Sequence, residues 1–473
     1  MLPPDFISQI NSLLPVDEAN AMLQAITSDE AVTSVRFNDA KGFLPHSSLK
    51  SVPWCPAGVY LDHRPQFTFD PLFHAGGYYV QDASSMFIYH VIKSLVKYPV
   101  SYLDLCAAPG GKTTAALQAL PQGSLVVAND IVASRAQVLR ENVVKWGHDN
   151  CMVVNDSPKA LGELVDAFHV IAADVPCSGE GMFRKDHDAV AQWSPLLVEQ
   201  CAQRQRDILA HVWPALKPGG LLIYSTCTYN LQENELMALY VARQLGASFV
   251  EVPIDHTWKI TGDLSASGIP CYRFLPHNTR GEGLFVCVLK KNGVLTTNAS
   301  EQREPRTSQV TKPTKRQNQP SASELQTCDQ WLLGNYGLNC SGGIVTAARD
   351  DYMTLDKSQR NKLHVIKDFG LVVATIKPNK VIPSHELAMS ICFNDDAFYN
   401  CEVDYPTAIA FLRGEAITID APKGFVLITY QRHNLGFVNN LGSRGNNLYP
   451  KNWRILSSHT PSTAFSLTTH HSF

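Results

Sequence analysis

Between about residues 100 and 290, short, near-continuous apolar runs alternate with longer stretches of helical periodicity. The runs Tyr102–Leu105, Leu125–Ala128, Cys151–Val154, His169–Ala173 and Leu221–Tyr224 have the length of strands buried on both faces. Thr113–Leu120, Ser134–Trp146 and Leu196–Leu216 read as helices among them. Strands without polar alternation, interleaved with helices, predict an α/β fold: a doubly wound, mostly parallel sheet covered on both faces. Ligands of such sheets sit at the carboxyl ends of the strands. Residues 1–95 form a mixed segment rich in prolines and aromatics, and 323–382 read as a small α/β piece. From about 383 onward, short β-like runs such as Phe425–Tyr430 are punctuated by Gly, Asn and Pro, which predicts a compact β-rich module.

Composition adds one division. The 473 residues suit about three domains at ~150 residues each. The net charge of −3 excludes a basic nucleic-acid coat as a property of the whole chain. That charge is unevenly spread. Residues 1–289 hold 20 basic and 28 acidic side chains, residues 290–322 hold 7 and 2, and residues 323–473 hold 13 of each. The basic piece has few large apolar side chains and cannot offset its ordering entropy by burial, so it reads as a linker, with phosphate contact as its sharper alternative. The expected parts are 1–95, 96–292, the basic linker 293–322, 323–382 and 383–473.

Twelve cysteines include no C-x-x-C pair, and the closest two are Cys392 and Cys401, so no zinc ribbon or other metal is expected. The opening MLPPDFISQINSLLP carries Asp5 and lacks the basic start and long apolar core of a signal peptide. No run approaches the ~18 apolar residues of a membrane helix. The expectation is a cytoplasmic protein with reduced thiols and no membrane partner.

The chemistry gathers at the predicted strand ends. The first strand runs into Cys106-Ala107-Ala108-Pro109-Gly110-Gly111-Lys112-Thr113. A Gly-Gly turn before a helix lets the backbone approach a ligand and offers free N–H groups. Gly-Lys-Thr is also part of a P-loop, but Cys106 stands where that motif needs glycine. Asp130, Asp156 and Asp174 follow the next three strands. One such acid is commonly a helix cap, whereas three at one edge favour a nucleoside crevice. Its negative charge suits cationic S-adenosylmethionine better than a polyphosphate.

Cys177 and Cys227 stand just beyond the fourth and fifth strands, beside Asp174. Cys151, Cys201, Cys271 and Cys287 read as inert packing. A thiolate adding to carbon 6 of cytosine makes carbon 5 nucleophilic enough to take a methyl group. A second thiol can assist the later elimination, and an acid on the ring nitrogen can absorb the developing charge. Residue spacing alone leaves open which thiol attacks.

The strings LDLCAAPGGKTT, DVPCSGEGMFRKD and YSTCTYN, preceded by AGGYYVQDASSM, closely resemble the NOP/Sun-type RNA (cytosine-5) methyltransferases over roughly residues 76–290. The resemblance implies a class I, Rossmann-like core with a seven-stranded sheet. It implies Cys227 as nucleophile, Cys177 as the release residue, and S-adenosylmethionine contacts from Cys106 to Lys112 and at Asp130, Asp156 and Asp174. Asp174 would serve cofactor and base alike. For Lys112, a substrate-facing role and a helix-capping role stand side by side. Arg184 and Lys185 are candidate RNA phosphate contacts, against a solvated charged loop. The segments Gly424–Thr429, Leu435–Phe437 and Asn446–Lys451 resemble a PUA-like RNA-binding module, and Val35-Arg36-Phe37-Asn38 more loosely resembles the α+β N-terminal domain of one branch. That branch is the bacterial small-subunit ribosomal RNA methyltransferase F type, which implies small-subunit 16S ribosomal RNA as partner. The competing classes are a P-loop-like NTPase and a non-catalytic ribosomal RNA-binding assembly factor.

Overall fold

The computed structural model describes residues 1–27, 31–295, 320–378, 380–459, 461 and 467. Most of the expected basic linker, 296–319, lies outside the described residues. Among the described residues, the centre of the molecule is a nine-stranded sheet. Its strands are β1 (Ser101–Asp104), β2 (Leu125–Asn129), β3 (Cys151–Val154), β4 (Phe168–Asp174), β5 (Leu216–Thr226), β6 (Ala247–Val250), β7 (Tyr272–Phe274), β8 (Leu284–Lys291) and β9 (Val365–Lys367). The order is β6-β8-β5-β4-β1-β2-β3-β9, with β7 paired to β8. β5, β4, β1, β2 and β3 run parallel, and β8 returns antiparallel against β5.

Residues that alternate along the parallel strands feed two cores. Tyr102, Val126, Val153 and Val170 pack beneath α1 (Phe87–Leu95), α2 (Gly111–Ala119) and α3 (Ala133–Trp146). Leu103, Val127, Met152 and Ile171 pack beneath α4 (Pro195–Val212) and α5 (Glu235–Gln244). Burial on both faces is why the middles of these strands are apolar without polar alternation, and why their polar residues gather towards the ends.

The seven strands expected of the core are present, and β7 and β9 extend the sheet. β9 comes from the 323–382 segment and pairs antiparallel with β3, so this segment is built into the catalytic layer. The expected boundary at 382/383 falls within the strand Lys380–Pro383. α1 lies inside 1–95 by sequence yet covers the catalytic sheet. The helix expected to reach Leu216 ends at Val212, where a single turn containing Pro214 leads directly into β5.

The N-terminal segment forms a four-stranded antiparallel sheet, and its two helices place Phe6, Ile10 and Met22 against Phe183, Trp193 and Tyr229. Those three aromatics flank the loops that follow Cys177 and Cys227. The C-terminal β-rich module pairs Tyr399–Glu402 parallel to Gly424–Tyr430, continued by His433–Asn440 and Gly445–Asn447. Its core is continuous with that of the N-terminal sheet, and the Phe43 and His433 rings stack at 3.7 Å.

Candidate active site

β1, β2, β4 and β5 end at one edge, where the segment Cys106–Lys112, Asp130, Asp174, Cys177 and Cys227 lie. The loop Cys106–Gly110 leaves β1 tied to β2: Ala107 N–H donates to Asn129 O at 2.7 Å, and Asn129 Nδ2 donates to Leu105 O at 2.9 Å. Gly110 adopts φ +115°, a left-handed conformation that favours glycine, and α2 begins at the next residue. Lys112, in the first turn of α2, donates from Nζ to Asp174 Oδ2 at 2.8 Å. Burial alone would lower this ammonium's pKa, but the Asp174 charge and hydrogen bond outweigh it and raise it. Lys112 is therefore committed to a carboxylate rather than open to a phosphate, which contradicts the P-loop alternative.

Asp174 ends β4, and its second oxygen accepts from Ser225 Oγ at 2.8 Å. Asp130 is buried, with Oδ1 accepting the Val132 N–H at 2.9 Å and Oδ2 3.4 Å from Arg135 Nη2. Arg135 also donates to Ala108 O at 2.9 Å, and so spans from the acid to the glycine loop. Asp156 Oδ2 accepts the His364 N–H at 2.9 Å, which couples this acid to the segment carrying β9. Asp104, behind the loop, accepts from Thr113 Oγ1 at 2.6 Å, and burial pushes its carboxyl up to about 7.

The two thiols meet. Cys177 Sγ and Cys227 Sγ lie 3.2 Å apart, each just past the end of its strand on the adjacent β4 and β5. The hydrogen bond with Cys227, then burial, raises the Cys177 thiol well above the ordinary range. Cys151, Cys201, Cys271 and Cys287 are buried away from this contact.

One expected RNA contact is corrected. The Arg184 side chain is only 6% exposed and lies 3.6 Å from Glu282, so it is internally neutralised and not available to a phosphate. Lys185, beside it and 31% exposed, reaches the same carboxylate at 3.4 Å.

The residue-type reading missed the frame beneath the thiols. Glu180 and Glu233 are fully buried, and Asn230 Nδ2 donates to both, at 3.0 and 2.8 Å. Glu180 also accepts the backbone N–H groups of Tyr229 and Asn230. Glu233 accepts the Ser178 N–H at 3.0 Å. Gly181 N–H donates to Cys227 O at 2.8 Å, and a Cβ there would stand 2.9 Å from that oxygen. The available signal was position: Glu180 lies three residues after Cys177, and Asn230 and Glu233 lie three and six after Cys227.

The crevice fits an adenosine-bearing cation. Ile131 and Val132, 62% and 43% exposed beside Asp130, offer an apolar pad for a purine, while the strand-end carboxylates suit hydroxyls and a positive sulfonium. Fold and site together define an S-adenosylmethionine-dependent methyltransferase. Family models agree in three places: 16S rRNA methyltransferase RsmB/F over residues 98–290, the N-terminal domain of 16S rRNA methyltransferase RsmF over 2–83, and the methyltransferase RsmF PUA domain over 398–455. The chain is 30% identical over 441 residues to ribosomal RNA small subunit methyltransferase F of Shewanella loihica, spanning 90% of this chain and 86% of that one. Its counterpart in Erwinia tasmaniensis is 29% identical over 476 residues, spanning 95% and 96%. The chain belongs to the ribosomal RNA small subunit methyltransferase F family. Its fold resembles that of NSun6 from Pyrococcus horikoshii, solved with SFG, at a TM-score of 0.51 and 19% identity over 62% of this chain and 99% of that one. No helix of the described residues is long and apolar enough to cross a membrane.

Proposed function

We propose that this methyltransferase modifies carbon 5 of a cytosine in 16S ribosomal RNA, with Cys227 as nucleophile and Cys177 as the release residue. The observation that carries the reading is the 3.2 Å contact of two thiols beside Asp174, at the mouth of the cofactor crevice. When bound, S-adenosylmethionine supplies the methyl group as an electrophile. Cys106 to Lys112, with Asp130, Asp156 and Asp174, would hold it.

The target base must leave its stack to reach a thiol at the end of a strand. Cys227 Sγ gives up its proton to water and forms a bond to carbon 6, while the carbon 5–carbon 6 π pair shifts into the ring and makes carbon 5 nucleophilic. Asp174, oriented by Lys112 and Ser225, would act as the acid at the ring nitrogen, sharing a proton with it and so balancing the negative charge that develops there. In the release step the carbon 5 proton passes to water and its bond pair becomes the ring double bond. The carbon–sulfur pair leaves on Cys227 Sγ, and that sulfur takes a proton from the Cys177 S–H.

The division at 95/96, 292/293 and 322/323 is the domain reading that accompanies this function, with the last boundary moved past the strand Lys380–Pro383. The PUA-like C-terminal module would contact RNA, with Lys185 a phosphate contact at the site, and a ribosomal substrate places the enzyme in the cytoplasm. Bisulfite mapping of ribosomal RNA from cells with and without the protein tests the proposal. One 16S cytosine should lose protection in its absence, and an unchanged 16S map would refute it.

A further inference from the structure

Two thiols in contact are chemically equivalent until their surroundings distinguish them, and the surroundings here differ in charge. On the Cys227 side stands the Lys112 ammonium, paired with Asp174. Beneath Cys177 stands Glu233, on the connection between β5 and α5. Its Oε2 accepts the Ser178 N–H at 3.0 Å and Gln205 Nε2 at 2.7 Å, and its Oε1 accepts Asn230 Nδ2 at 2.8 Å. All three are donors, the pattern that suits an ionised carboxylate, which can only accept. Burial works against that ionisation and raises the Glu233 pKa, while the Ser178 and Asn230 hydrogen bonds oppose the rise. Gln205 Nε2 also donates to Pro176 O at 3.0 Å, so the peptides on both sides of Cys177 are fixed to one carboxylate and one amide. The Glu233 frame is braced from behind by Tyr224, whose hydroxyl donates to Glu233 O at 2.6 Å and lies 3.0 Å from Gln205 Oε1.

The geometry points to Glu233 as a positioning residue that aims the Cys177 thiol at the Cys227 sulfur and keeps the proton on Cys177 for the release step. This rests on the proposed Cys227 and Cys177 roles and goes further, by naming the group that divides them. The mechanism is electrostatic and geometric at once. A fixed anion one peptide away disfavours a second negative charge on Cys177, and the anchored Ser178 N–H sets the direction of the preceding side chain. The other titratable groups acting on Cys177 and Glu233 include Cys227 and Glu180, with Cys201 and Tyr224 also facing Glu233; the nearest cations, Lys112 and Arg204, act on Cys227 and Cys201. Removing the Glu233 charge therefore lets Cys177 lose its proton at lower pH.

The test measures release of the covalent RNA adduct against pH in the full-length protein, for the wild type, Glu233→Gln, Glu233→Asp and Cys177→Ala. Glu233→Gln keeps the shape and loses the charge. It should accumulate adduct through a release rate roughly tenfold slower at neutral pH, because an amide facing the Ser178 N–H loosens the aim of the still-protonated Cys177, and the alkaline limb of its release profile should move down by about one unit or more. Glu233→Asp should keep the wild-type limb even where its rate falls, because the charge is retained. A profile in Glu233→Gln that keeps the wild-type limb, or one in Glu233→Asp that shifts like Glu233→Gln, overturns the inference. If Cys177→Ala itself traps no adduct, the underlying reading of the two thiols fails, and the inference falls with it. If Cys177→Ala traps adduct and Glu233→Gln does not, only the role of Glu233 fails. Alkylation of Cys177 in a Cys227→Ala background gives a readout independent of turnover, and its half-maximal pH should fall on adding Glu233→Gln.

Discussion

Cys177 Sγ and Cys227 Sγ lie 3.2 Å apart although 50 residues separate them in sequence. The contact follows from topology: β4 and β5 are parallel neighbours, paired from Val170–Leu221 to Asp174–Ser225, so the loops that leave them start side by side. Asn230 then ties the loops together through Glu180 and Glu233. A site assembled this way is sensitive to small displacements of either loop.

Gly181 measures that sensitivity. It donates its N–H to Cys227 O, and a methyl group in its place would approach that oxygen to 2.9 Å, backbone against backbone. Gly181→Ala should lower methylation by roughly a hundredfold, the scale of an ångström-level misplacement of a reacting group. On the proposed assignment of the cofactor to Cys106–Lys112 and Asp130, cofactor affinity should stay within a few-fold in calorimetry.

Asp104 gives a pH prediction. Burial raises its carboxyl to about 7 in the folded state from 3.8, with Thr113 as hydrogen-bond donor opposing the rise. The folded chain thus binds this proton more tightly than the unfolded one. Stability contributed by the neutral acid is complete below about 4 and is lost as pH rises towards 7. Asp104→Asn should flatten that decline, and the difference between the two unfolding curves should grow to at most ~4 kcal/mol across the window. Chemical denaturation at pH 4 and pH 8 measures it.

Arg36 links the N-terminal sheet to α2, the helix that follows the Gly110–Gly111 turn. Its guanidinium is fully buried, donates to Gln81, Gln118 and Thr114, and lies 4.5 Å over the Trp146 ring. Burial lowers its pKa to about 10. Arg36→Ala leaves those acceptors unpaired inside the protein and should cost roughly 2–4 kcal/mol of stability. Because Thr114 sits in the first turns of α2, S-adenosylmethionine affinity should weaken by about tenfold in titration calorimetry.

The parts of the fold that sequence pattern made legible are those whose determinants are local. Cys151–Val154 reads as a strand because two buried faces need four apolar residues in succession, and the strand has those same bounds. The glycine loop, the strand-end acids and the two thiols were legible for the same reason, since each motif is short and sits at a strand terminus. Partnerships across the chain were not legible. Val365–Lys367 joins the catalytic sheet from more than two hundred residues beyond β3, and no local pattern distinguishes an added edge strand from any short apolar run. Arg184 looked like a surface cation beside Lys185 because Glu282, which neutralises it, lies 98 residues away. Glu233 follows Cys227 closely, but its purpose depends on Ser178 and Gln205 from other elements.

The central claim is that Cys227 attacks and Cys177 releases. It is tested most directly by incubating Cys177→Ala with S-adenosylmethionine and small-subunit ribosomal RNA, and resolving the product under denaturing conditions. A covalent protein–RNA band is expected, and it should vanish when Cys227→Ala is added to the same chain. A band that persists in the double variant, or one that forms with Cys227→Ala alone, would contradict the assignment of the two thiols.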